Sequence, residues 1–149
     1  MAHGGAVVND ATGHVGAVEL VEICADMAQR NHALFAGLGA WLRRDDPPLG
    51  ALARVASEAC HRHAEHAALW TSRRPTIGLD PATDVTDATV AVIDGRDAYR
   101  TALAAMRSAV ADLGERCNEE LDPSTRRVVE VVRRDLDSIA DRLERTDGA

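Results

Sequence analysis

The chain has 149 residues, 46% of them hydrophobic and only 3% aromatic, with a formal net charge of −7 and a pI near 5.3. That is enough for one domain with a real core built from Ala, Val and Leu, and it excludes a disordered chain. No basic field exists to attract phosphates, so nucleic acid is excluded as a partner. No stretch approaches the ~20 apolar residues of a membrane span either.

Cys24, Cys60 and Cys117 are odd in number and lack C-x-x-C spacing, which suits a reducing compartment better than a disulfide framework. Residues 1–11 carry neither a basic n-region nor an apolar h-region, so no secretory signal is expected. A cytoplasmic protein follows as the expectation.

The pattern predicts one all-α domain over residues 1–149, a four-helix bundle without strands. Three Asp-Pro steps punctuate it: Asp46-Pro47, Asp80-Pro81 and Asp122-Pro123. Asp as N-cap accepts orphan N–H groups, and Pro at the first helical position gives up a donor that had no partner. The first helix is expected over about 12–43, the second over 47–73, the third over 82–113 and the fourth over 123–145. Short links make the first and second helices, and the third and fourth, antiparallel pairs. The middle link, about residues 71–83, reaches ~43–47 Å when extended, against ~40 Å for the second helix. It is long enough for a crossover along the bundle only if nearly straight, and an up-down-up-down connection stays open as the alternative.

At about 100° per residue, the first helix gathers Leu20, Ile23, Cys24, Met27, Leu34, Phe35, Leu38, Trp41 and Leu42 on one stripe. Asn31 sits in its middle, and Glu19, Glu22, Asp26 and Arg30 lie opposite. On the second helix Leu52, Val55, Ala59, His63, His66 and Trp70 share a stripe, while Glu58, His61, Arg62 and Glu65 fall off it. Glu58-Ala-Cys-His61 therefore spells a metal motif but points toward solvent. The pair to explain is His63-Ala-Glu-His66. The third helix offers Val85, Val92, Leu103, Met106 and Val110 with Tyr99 at the centre. The fourth offers Thr125, Val128, Val132, Leu136, Ile139 and Leu143, with Asp135 on the border. Arg126-Arg127 and Arg133-Arg134 read as a solvated face.

The core-facing polar set is thus Asn31, His63, His66, Tyr99 and Asp135, drawn from all four helices. The layout resembles the ferritin-like superfamily, whose members place one Glu on the first and third helices and Glu-x-x-His on the second and fourth. Asn31-His-Ala-Leu-Phe35-Ala-Gly-Leu38 looks like the family's first helix, with Asn31 where the Glu is expected. His63-Ala-Glu-His66, followed by Leu69-Trp70-Thr-Ser-Arg73-Arg74-Pro75, looks like the end of the second. There His66 matches the family histidine and His63 replaces the Glu. Tyr99 stands where the third helix would offer its Glu, and around Val132-Arg133-Arg134-Asp135-Leu136 only Asp135 remains.

Two hard cations need several carboxylates, so ferroxidase or iron-storage activity is not expected. An imidazole-rich centre suits a single softer cation, Fe(II), Cu or Zn, or a small organic ligand. If the site is catalytic, His63 and His66 are ligands or an acid–base pair, Tyr99 is a proton donor or radical-stabilising phenol, and Asn31 orients the ligand. The resemblance implies oxidation of a small molecule in a biosynthetic pathway. The rival reading is a non-catalytic, metal-free homodimeric interaction or accessory protein, with His63 and His66 hydrogen-bonded to Tyr99, Asn31 or backbone. A centre open to a ligand favours the first reading, and a filled one the second.

Overall fold

A computed structural model describes residues 17–76, 91–117 and 123–146. Among them are four helices and no strand: α1 (Ala17–Leu42), α2 (Gly50–Thr76), α3 (Arg96–Arg116) and α4 (Pro123–Arg145). Each buries one residue in every three or four. The buried series are Leu20, Cys24, Met27, Asn31, Leu34, Leu38 and Trp41 on α1, and Val55, Ala59, His63, His66, Trp70 and Arg73 on α2. On α3 they are Tyr99, Leu103, Met106, Val110 and Leu113, and on α4 Thr125, Val129, Val132, Leu136, Ile139 and Leu143. Alternating steps of three and four keep such a seam facing its neighbours over many turns, as in a helical bundle.

Pairs of contacts fix the helix directions. Asn31 meets His63 while the Phe35 carbonyl meets Cys60, so α1 and α2 are antiparallel. His66 meets Asp135 while Arg73 meets Thr125, so α2 and α4 are antiparallel. Arg100 meets Glu144 while Arg107 meets Asp137, which makes α3 and α4 antiparallel too. It follows that α2 and α3 run parallel. The up-down-up-down alternative is therefore not the arrangement present. Residues 77–90, which include Asp80-Pro81 and Val85, lie outside the described residues, as do 1–16.

Several expectations are corrected. The second helix begins at Gly50, not residue 47. Pro47 precedes Pro48, and a residue before proline is driven out of the α region; Gly50 then takes a φ of 59° that favours glycine. The third helix does not run from 82, because residues 91–95 are non-helical and α3 starts at Arg96. Val92 and Ile93 are β-branched, and Gly95 is extended. Val92 is 84% exposed instead of lying on the stripe, while Ile93 is buried. Finally, Phe35 is 38% exposed, and Val129 is buried in the core with Val128 partly buried against it.

The segment leading into α3 is held against α1. The Ala91 N–H donates to the Ala33 carbonyl at 3.2 Å. A Cβ on Gly37 would come within 2.4 Å of the Ala91 carbonyl oxygen and 3.2 Å of the Ile93 side chain, so only glycine allows this approach. On the outside, Arg96 bonds the Leu143 carbonyl at 3.0 Å and Arg107 pairs with Asp137 at 2.9 Å. Arg126 donates to the Gly114 carbonyl at 2.8 Å, so it closes the end of α3 instead of standing on a solvated face. Among the described residues no helix is long and apolar enough to cross a membrane.

Candidate functional site

All five polar residues singled out from the sequence lie at the centre of the bundle. Asn31, His63 and Tyr99 have no exposed surface and His66 has 1%. The Asp135 side chain is 23% exposed. By contrast, the His61 side chain is 74% exposed and contacts Glu65 at 3.3 Å, while Glu58 pairs with Arg142. The Glu58-x-x-His61 spelling therefore faces outward.

Asn31, His63 and Tyr99 form one hydrogen-bonded chain, and its directions can be deduced. The Met27 carbonyl can only accept, and it lies 2.8 Å from Asn31 Nδ2, so that atom is the amide nitrogen. Asn31 Oδ1 is then an acceptor, and His63 Nδ1–H donates to it across 3.1 Å. A neutral His63 with its proton on Nδ1 has a lone pair on Nε2, and the Tyr99 hydroxyl donates to that lone pair at 2.7 Å. Asn31 Nδ2 also reaches the Met106 sulfur at 4.0 Å. Burial drives His63 down to about 3, helped by the nearby His66 charge. Burial also drives Tyr99 above the ordinary phenol range, with the Cys60 charge adding to it. Both groups are neutral at pH 7.

His66 has different neighbours. Its Nε2 lies 2.9 Å from Asp135 Oδ2. A carboxylate accepts, so the proton sits on Nε2 and Nδ1 carries a bare lone pair. Among the described residues no group bonds that Nδ1, and none bonds Nε1 of Trp70, whose side chain is completely buried. Burial lowers the His66 pKa and outweighs the Asp135 hydrogen bond and charge, which raise it. Each unsatisfied buried group costs roughly 1–3 kcal/mol.

Taken together, the two imidazoles do not turn their nitrogens toward one common point. The two imidazoles stand edge to face, centroids 6.1 Å apart and planes at 87°. Their Nε2 atoms are directed to different partners, Tyr99 and Asp135. Among the described residues no group of three His, Cys, Asp or Glu side chains is disposed to hold a metal ion. Asn31 and Tyr99 stand where a two-metal carboxylate cluster would need acids, and Val132 and Leu136 fill the inner face of α4.

One buried polar contact escaped the sequence reading. Arg73, 9% exposed, donates from Nε to Thr125 Oγ1 at 2.8 Å. Its signal was present: Arg73 continues the series His63, His66, Trp70 by one more step of three. A comparison of the chain with family models, with curated proteins and with solved structures gave no match.

Proposed function

We propose that the chain is a ferritin-like four-helix bundle acting as a non-catalytic, metal-free accessory or interaction protein. Its polar centre sets the register of the helices instead of performing chemistry. The observation that carries this reading is that both ring nitrogens of His63 are engaged, by Asn31 at 3.1 Å and Tyr99 at 2.7 Å. No lone pair is left on that ring for a metal or a substrate. A fully satisfied polar network specifies one packing of its helices, because every misregistered arrangement leaves buried groups unpaired. The parallel course of α2 and α3 supports the ferritin-like assignment.

The partner under this reading is a second copy of the chain. Leu49 and Val92 support it, being apolar and 79% and 84% exposed. Three cysteines without a disulfide support a reducing, cytoplasmic setting. Elemental analysis of protein purified without added metal, with thermal melts in the presence and absence of chelator, tests the metal-free assignment. A melting temperature unchanged by chelator is expected, and sedimentation should show a dimer. Stoichiometric metal lost on chelation together with a lower melting temperature overturns the reading.

One observation favours a second reading, in which the centre binds a single Fe, Cu or Zn ion or serves oxidation of a small molecule. A carboxylate held on one imidazole nitrogen, with the other bare, is how second-shell groups orient metal-binding or acid–base histidines. His66, backed by Asp135, has that form. Metal binding that vanishes in His66→Ala and survives in His63→Ala would establish this reading.

A further inference from the structure

Two unsatisfied polar atoms lie on neighbouring turns of α2, and their roles are complementary. His66 Nδ1 is an acceptor, because its ring proton is committed to Asp135 through Nε2. Trp70 Nε1–H is a donor that nothing accepts from. The residues are four apart on one helix, which places them on the same face. Both are enclosed, at 1% and 0% exposure. The indole does not bond the imidazole directly, since neither atom has a partner among the described residues.

We propose that His66 Nδ1 and Trp70 Nε1–H form a binding seat for one small neutral hydroxyl-bearing molecule, of which water is the smallest. Its oxygen accepts from the indole, and its hydroxyl proton is donated to the imidazole. The pair of roles selects this class. A cation drawn to the Nδ1 lone pair faces the positive end of the indole N–H dipole, and the one carboxylate nearby is already bonded to Nε2. An anion accepts from the indole but sets negative charge against a lone pair beside Asp135. Only a molecule that both donates and accepts satisfies both atoms, which is what ordered interior water does in folded proteins. The seat needs neither a metal nor catalysis; it is compatible with the first functional reading and competes with the second for the same His66 Nδ1 lone pair.

NMR on the uniformly 15N-labelled full chain tests the seat with water as the probe. The chain has only two tryptophans, Trp41 and Trp70, so Trp70→Phe assigns the indole signals by elimination. Long-range 1H–15N spectra are expected to show His66 protonated at Nε2 and bare at Nδ1. The Trp70 indole proton is expected to give a rotating-frame cross-peak to a bound water. In Trp70→Phe that cross-peak should vanish while the His66 tautomer persists. A His66 protonated on Nδ1, or an indole proton without a water cross-peak in the wild-type chain, overturns the proposal. So does Zn2+ binding at His66 Nδ1 in stoichiometric titration, because a cation would then be the occupant.

Discussion

His63 and His66 stand one turn apart on the same face of α2 and are equally enclosed, at 0% and 1% exposure. Around His63 every nitrogen has a partner contributed by another helix, Asn31 from α1 and Tyr99 from α3. Around His66 one nitrogen is bound by Asp135 of α4 and the other by nothing among the described residues. The helix that carries the two rings treats them alike, so the difference arises entirely from what packs opposite. One half of the centre is a closed hydrogen-bonded core, and the other keeps an open valence. Depth of burial alone does not distinguish them.

The most direct way to break this comparison is to delete each ring. His63→Ala leaves the Asn31 oxygen and the Tyr99 hydroxyl unpaired and opens a cavity among fully buried side chains. A cost of about 3–5 kcal/mol is expected from these terms. His66→Ala strands only Asp135, which reaches solvent, and also removes the unpartnered Nδ1, so about 1–3 kcal/mol is expected. Urea denaturation of the two variants measures both. The reverse order would show that His66, not His63, anchors the centre.

Acid should act through the same pair. A histidine whose folded pKa lies below its ordinary 6.5 gains protons more readily when unfolded. Stability from each ring is therefore whole above pH 6.5 and declines as the pH falls from there, for His63 down to about 3. Between those values His63 contributes a slope approaching ~1.4 kcal/mol per pH unit, and His66 adds to it in the same direction. His63→Gln, which cannot titrate, should flatten this acid limb measurably. An unchanged slope would mean that carboxylates alone govern it.

Removing one oxygen tests the closed half more gently. Tyr99→Phe keeps the packed ring but orphans His63 Nε2, and about 1–2 kcal/mol should be lost. The His63 tautomer should persist, because Asn31 Oδ1 still accepts from Nδ1–H, and long-range 1H–15N spectra should show Nε2 bare and without its hydrogen bond. A stability equal to wild type would mean that the 2.7 Å contact adds nothing to folding.

The placement of Asn31, His63, His66 and Tyr99 was legible because a 3.6-residue period leaves each no choice of face. Their pairing was not legible. Which of Asn31, Tyr99 and Asp135 meets which histidine depends on the relative rise of four helices, and no single helix encodes that. The start of α3 was misread for a local reason: the Asp80-Pro81 signal outweighed Val92-Ile93 and Asp94-Gly95, which hold residues 91–95 out of the helix. Gly37 carried information that a helical wheel discards. A glycine inside a helix costs ~1 kcal/mol relative to alanine, and here it marks where the segment through Ala91 crosses α1.

The smallest expected effect comes from Asp135→Asn, which sharpens the contrast from the open side. The amide oxygen still accepts from His66 Nε2–H, so the ring keeps its orientation and its tautomer. What disappears is the charge, one of the two influences by which Asp135 raises His66 against burial. Because Asp135 is partly exposed, screening by solvent limits the loss to about 0.5–1 kcal/mol at pH 7. The His66 pKa should fall further, so its proton uptake in the folded state moves to lower pH, while His63, whose lowering comes first from burial, should not respond to the change. An NMR titration following both rings separates these outcomes. A His66 midpoint that stays or rises would mean that Asp135 orients the ring without contributing charge, and the two halves of the centre would then differ in geometry alone.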